Sequence, residues 1–188
     1  YVTSDVLIGA GLSSSAAFET LIGTILSGLY NNMSVSAIDI AIIGQYAENI
    51  YFGKPCGLMD QMACSVGNLV YIDFENTSKP VVEKVEFDME EYGYSLCITD
   101  TKGSHADLTD EYAAVPKEMK QVAKHFGKEV LRGITAQDII REIQALRSEF
   151  GDRSVLRALH FVSENDRVTC EVEALKTCLL YTSDAADE

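Results

Sequence analysis

Gly9-Ala10-Gly11-Leu12-Ser13-Ser14-Ser15-Ala16-Ala17 is the stretch on which the fold turns. After it, Phe18, Leu21, Ile22, Ile25, Leu26 and Leu29 recur at i, i+3, i+4 and i+7. That spacing predicts a helix with one buried apolar stripe. Before it, Tyr1 to Ile8 (YVTSDVLI) alternates and carries β-branched residues, which predicts a strand. A Gly/Ser loop between strand and helix can hold a phosphate. First-turn amides lack intrahelical acceptors, and the helix dipole adds partial positive charge. Glycine lets the backbone close on an anion, and serine hydroxyls add donors or a magnesium ligand. A tight turn with a serine N-cap has the same composition, and on the loop alone both readings stand. Three consecutive serines favour the phosphate loop, since a cap needs only one.

Working outward, Asn31 and Asn32 stop the helix, and Ser34 or Ser36 caps a second one running to about Phe52. Gly53-Lys54-Pro55-Cys56-Gly57 breaks it, and Leu58 to Val66 is a short helix or turn. Asn68 to Phe74, Val81 to Phe87 and Tyr94 to Thr99 read as strands, with turn chemistry over residues 75–80. From about Ala106 to Thr177 the pattern is helical, with breaks near Gly127, Gly133 and Gly151. Thr135 is placed to cap the helix carrying Ile139, Ile140, Ile143 and Leu146. The order predicts an α+β protein rather than an alternating parallel sheet. A composition shift near residues 90–105 marks the expected domain boundary.

Two nucleotide motifs are excluded. Neither Gly53-Lys54 nor Gly127-Lys128 completes the Walker pattern. The dinucleotide fingerprint fails because Ser14 stands at its third glycine, and Asn31 to Ile38 is a turn and helix where an acidic strand end is needed.

The chain has 188 residues, 47% hydrophobic and 23% charged, which is ordinary globular composition. Acidic residues number 29 against 15 basic, a net charge of −14. Such a surface repels phosphate backbones, so no nucleic-acid partner is expected. No apolar run is long enough to span a bilayer, so no membrane partner is expected either. The five cysteines contain no CxxC pair, and the three histidines form no HExxH motif. Reduced thiols and a cytoplasmic location follow, without a zinc site or disulfide framework. The first residue is Tyr1 rather than Met, which suggests an incomplete chain. Cys178 to Glu188 (CLLYTSDAADE) resembles translated adapter DNA and is set aside as a non-native tail.

GAGLSSSAA resembles the second motif of the GHMP small-molecule kinases, and Cys56-Gly57-Leu58-Met59-Asp60-Gln61 resembles the CG(I/L)MDQ motif of the galactokinases within them. Loop and aspartate lie about 45 residues and two helices apart, as in that family. The likeness continues through Ser104 to Tyr112 and Arg157 to Glu164. It implies the GHMP kinase fold, with a ribosomal protein S5 domain 2-like N-terminal part and a ferredoxin-like C-terminal part, truncated at both ends. It places the end of the ATP-binding domain at 1–95, the start of the C-terminal domain at 96–177 and the tail at 178–188.

The resemblance also implies roles. Gly9, Ala10, Gly11, Leu12, Ser13, Ser14, Ser15 and Ala16 would wrap the phosphates of ATP. Ser15 and Glu48 would hold Mg²⁺, although Glu48 by itself reads as a solvated helix-end carboxylate. Asp60 would be the catalytic aspartate beside the sugar hydroxyl. On the residues alone it is an N-cap or turn residue, and its apolar neighbours Leu58, Met59 and Met62 predict partial burial and a donor or cationic partner. Gly57 and Asp60 would contact the sugar, as would Tyr112, which otherwise reads as core packing. The implied activity is ATP-dependent phosphorylation of galactose at its C1 hydroxyl by a monomer. An N-acetylgalactosamine kinase and a non-catalytic galactose sensor on the same fold are the alternatives. The family's Arg-containing N-terminal motif and C-terminal glycine-rich motif do not occur among these 188 residues, so this chain alone is expected to be inactive.

Overall fold

The computed structural model describes residues 2–6, 11–99 and 109–177. The chain divides into two compact units, Tyr1–Gly103 and Ser104–Glu188.

In the first unit, helix α1 (Ser14–Asn31) ends where Asn32 turns left-handed, at φ 49°. Helix α2 (Ala37–Tyr46) starts at Ser36, whose hydroxyl oxygen accepts from the Asp39 amide. That is the stop and one of the two caps read from the sequence. A single π-turn (Ala47–Tyr51) then extends α2. Helix α3 (Met59–Val66) ends at Gly67, φ 72°. Strands β1 (Leu69–Asp73) and β2 (Val81–Val85) pair antiparallel with Leu69 opposite Val85 and Asp73 opposite Val81. The core joins helices to sheet: Ala41, Leu58 and Met62 are buried, with Ile38, Ile42, Val66, Ile72, Phe74 and Val82 packed around them.

The buried face of α1 is not the apolar stripe. Phe18, Leu21, Ile25, Leu26 and Leu29 are exposed, whereas Ala16, Thr20 and Ser27 are buried. The cause is the closeness of α2: a Cβ on Gly23 would lie 2.9 Å from Ile40 Cγ2. Only the small-residue face of α1 permits that approach.

Two expected strands are corrected. Val2–Val6, the described part of the first, is not a strand, and neither is Tyr94–Thr99. Alternation selects a face, but a strand also needs a ladder partner. Among the described residues β1 and β2 pair only with each other.

The described elements of the second unit are all helices: α4 (Thr109–His125), α5 (Ala136–Arg141) and α6 (Ile143–Lys176). Thr135 and Asp138 form a reciprocal capping box at the start of α5, but α5 ends at Arg141, so Ile143 and Leu146 lie on α6 and not on the helix that Thr135 caps. Gly151, at φ 80°, interrupts α6. Helices α4 and α5 both pack on α6. Val122, Ile139, Leu146, Val155 and Ala158 are central to this unit's core, whereas Ile140 is half exposed. No described helix is long and apolar enough to cross a membrane.

Candidate functional site

The helix-capping reading of the serine loop fails at Ser13. It precedes α1 in a left-handed conformation, φ 52° and ψ 44°, and makes no side-chain cap bond. Gly11, two residues earlier, is also left-handed at φ 74°. The serine at the helix start is therefore not spent on capping. Its hydroxyl donates instead to Asp60 Oδ2 at 2.6 Å, joining the loop to the first turn of α3. Asp60 is exposed, not partly buried as its neighbours suggested. Leu58 turns into the core while Met59 points outward, so the aspartate meets solvent on the open side of α3. Its donor partner is the loop itself.

The second link is deeper. Ser15 Oγ donates to Glu48 Oε1 at 3.2 Å. Glu48 is only 4% exposed, which removes the reading of a solvated helix-end carboxylate. It sits in the π-turn, where one extra residue per turn redirects the side chain. Lys54 Nζ donates to Oε1 at 2.8 Å, and Gln61 Nε2 donates to Oε2 at 2.8 Å. Gln61 Nε2 also reaches Glu19 Oε2 on α1 at 3.3 Å. One carboxylate thus ties α1, the Gly53–Gly57 loop and α3 together.

That loop is clamped as well. The Cys56 amide donates to Asn49 Oδ1 at 2.8 Å, and Gln45 Nε2 donates to the Cys56 carbonyl at 3.2 Å. Gly57 follows, exposed and with open space around it.

The electrostatics follow from the packing. Burial pushes the Glu48 carboxyl up, but hydrogen bonds from Lys54, Cys56 and Ser15 outweigh it and hold the group below its ordinary value. Lys54 is held above its own, first by its bond to Glu48. Burial raises Glu19, and the nearby Glu48 charge adds to that. The Cys56 thiol is pushed up to about 11, first by burial and then by Glu48. Cys56 is therefore a neutral thiol and no nucleophile at pH 7.

The structure brings Gly11, Leu12, Ser13, Ser14, Ser15, Ala16, Glu48, Gly57 and Asp60 into one region of the first unit. Gly9 and Ala10 lie outside the described residues, as do His105, Asp107 and the tail from Cys178 onward. Tyr112 is on α4 in the second unit and is exposed, not packed in its core. Sequence reasoning gave no role to Lys54, Gln61, Glu19 or Asn49. A lysine in the Gly53–Gly57 break, the one charge there, and the place of Gln61 at the end of the CGLMDQ motif were the available signals; Glu19 and Asn49 read as ordinary helix polars. Among the described residues no three His, Cys, Asp or Glu side chains form a self-contained metal site.

Residues 1–68 match the model of the GHMP kinases N-terminal domain. Over that stretch the chain is similar to the GHMP kinases. The chain is 37% identical to a galactokinase of Actinobacillus pleuropneumoniae serotype 5b (strain L20), over 93% of the chain and 44% of that enzyme. A galactokinase of Streptomyces coelicolor is 31% identical over 94% of the chain and 45% of its own length. A solved galactokinase of Lactococcus lactis, complexed with galactose, superposes with a TM-score of 0.64 at 26% identity, over 92% of the chain and 44% of that structure. The chain therefore spans under half the length of the relatives it matches. The α+β reading agrees with that neighbour.

Proposed function

We propose that this chain supplies the phosphate loop and acceptor-side carboxylate of an ATP-dependent galactokinase, which forms galactose 1-phosphate. The Ser13–Asp60 hydrogen bond carries the reading, because it sets the loop beside the aspartate that would face the acceptor hydroxyl. The amides of the first α1 turn and the hydroxyls of Ser13, Ser14 and Ser15 would bind phosphate oxygens, with Gly9 to Ala16 as the cradle. Ser15 and Glu48 are the metal-facing pair. The donor set fits magnesium: a carboxylate and a hydroxyl, with Gln61 Oε1 buried nearby and accepting no hydrogen bond. Hard oxygen ligands of this kind hold Mg²⁺ when phosphate and water complete its shell. When bound, the ion would neutralise phosphate charge.

Asp60 would orient the sugar C1 hydroxyl and accept its proton as phosphoryl transfer proceeds. Phosphoryl transfer passes through a loose transition state, so this positioning carries much of the rate. The Gly57 amide is free to meet a sugar hydroxyl. Cys56, Cys64, Cys97 and Cys170 are free thiols, which suits the reducing cytoplasm.

A chimera tests the reading. Residues 1–177 replace the matching segment of the Actinobacillus galactokinase, and sugar phosphates are followed by phosphorus NMR. Galactose 1-phosphate should form, and Asp60→Asn should lower kcat by about 10² or more, the scale of a lost general base. A chimera with a native circular dichroism spectrum but no product, or one that prefers N-acetylgalactosamine, would refute the assignment.

A further inference from the structure

Lys54 has no part in the reading above, yet it carries the one charged contact described between the Gly53–Gly57 loop and the helices. Its ammonium lies 2.8 Å from Glu48 Oε1, the same oxygen that accepts from Ser15 at 3.2 Å. The pair is lopsided: the Glu48 side chain is 5% exposed and that of Lys54 65%. A buried carboxylate needs a compensating cation. An exposed lysine can leave such a partner at little cost, because water resolvates its ammonium and its stem is flexible. The loop backbone, by contrast, is held independently through Asn49, Gln45 and the Lys54 amide, which donates to the Glu48 carbonyl at 3.2 Å. The side chain can therefore swing out while the loop stays in place.

We propose that Lys54 is a displaceable counter-ion, neutralising buried Glu48 while no divalent cation is present and leaving it when the magnesium nucleotide arrives. This rests on the proposed reading of Glu48 and Ser15 as the metal-facing pair. An ammonium and a dication held on the same oxygen repel each other, so binding of one weakens binding of the other. The ion pair thus neutralises the empty site and competes with the metal until the phosphates arrive with it. Gln61 remains on Oε2 in both states, holding the carboxylate's orientation.

The test uses the 188-residue chain. Mn²⁺ binding in the presence of ADP is titrated by electron paramagnetic resonance for the wild type and Lys54→Met. The variant, freed of the competing ammonium, should bind about tenfold more tightly. Equal or weaker binding by a folded variant overturns the proposal. If neither protein binds Mn²⁺, the metal-facing reading falls and takes this proposal with it. Should Lys54→Met fail to fold, the wild type decides. Its Lys54 ¹⁵Nζ resonance, read through the non-exchanging Cε protons, should shift between ADP with EDTA and ADP with Mg²⁺ as the ion pair opens. A signal indifferent to Mg²⁺ overturns the proposal.

Discussion

Glu48→Gln keeps the volume of the side chain and removes its charge. Four donors meet the native carboxylate: Ser15, Lys54, Gln61 and the Cys56 thiol. Gln61 can adapt by turning its amide, because its Oε1 is unpaired and can accept from the new Nε2. Its own bond to Glu19 is lost in that turn. Contacts are thus weakened rather than orphaned. A hydrogen bond to a charged group is worth about 1.5–3 kcal/mol and a neutral one about 0.5–1.5 kcal/mol, so each buried bond loses roughly 1 kcal/mol. The Lys54 pair adds only about 0.5 kcal/mol because the lysine is mostly in water. Relief of carboxylate desolvation returns part of the loss. The expected net is about 1–2 kcal/mol, or a fall in Tm of roughly 5–15 °C for a unit of this size. Glu48→Ala, which strands Gln61 and opens a cavity, should cost about 3–4 kcal/mol. Tyrosine fluorescence in a urea titration reads this directly. The chain has no tryptophan, and every tyrosine but Tyr112 and Tyr181 lies in the first unit. If Glu48→Gln costs as much as Glu48→Ala, the hydrogen-bond reasoning is wrong. A variant as stable as the wild type refutes it equally.

Two further outcomes are expected. Gly23→Ala gains about 1 kcal/mol of helix propensity but sets a Cβ 2.9 Å from Ile40 Cγ2. Overpacking of about 1–3 kcal/mol should win, and combining it with Ile40→Ala should relieve the clash. Simple additivity in that double-mutant cycle would contradict the close contact. In the second unit, Glu118 is held below its ordinary value of 4.5, first by its hydrogen bond from Arg153 and further by Arg157 at 2.7 Å. A lowered carboxyl stabilises the fold above that ordinary value and stops doing so as pH falls through the native one. The urea midpoint of this unit should therefore drop on acidification below pH 4.5, and Glu118→Gln should flatten that slope. An unchanged slope in the variant would assign the acid sensitivity elsewhere.

The local elements were legible because local chemistry sets them. Asn32 supplies the left-handed stop of α1, Ser36 the cap of α2 and Thr135 the cap of α5, each within a few residues of the groups it satisfies. The breaks at Gly127, Gly133 and Gly151 all carry positive φ. The two motifs, GAGLSSSAA and CGLMDQ, pointed to the family from residue type and order alone. What failed was whatever needed a distant neighbour. Periodicity located an apolar stripe on α1 but could not say that α2 would approach the opposite, small-residue face. Alternation suggested strands at Val2–Val6 and Tyr94–Thr99 but could not supply a ladder partner. The candidate site divides in the same way. Asp60, Ser15 and Glu48 could be named from the sequence, 12 to 45 residues apart. Only the folded chain turns Glu48 inward through a π-turn, sets Ser13 against Asp60 and gives Glu48 its Lys54 counter-ion. Spacing along a chain constrains neighbours three or four residues away. The burial that makes a carboxylate depend on a particular cation exists only once three helix-borne segments close around it.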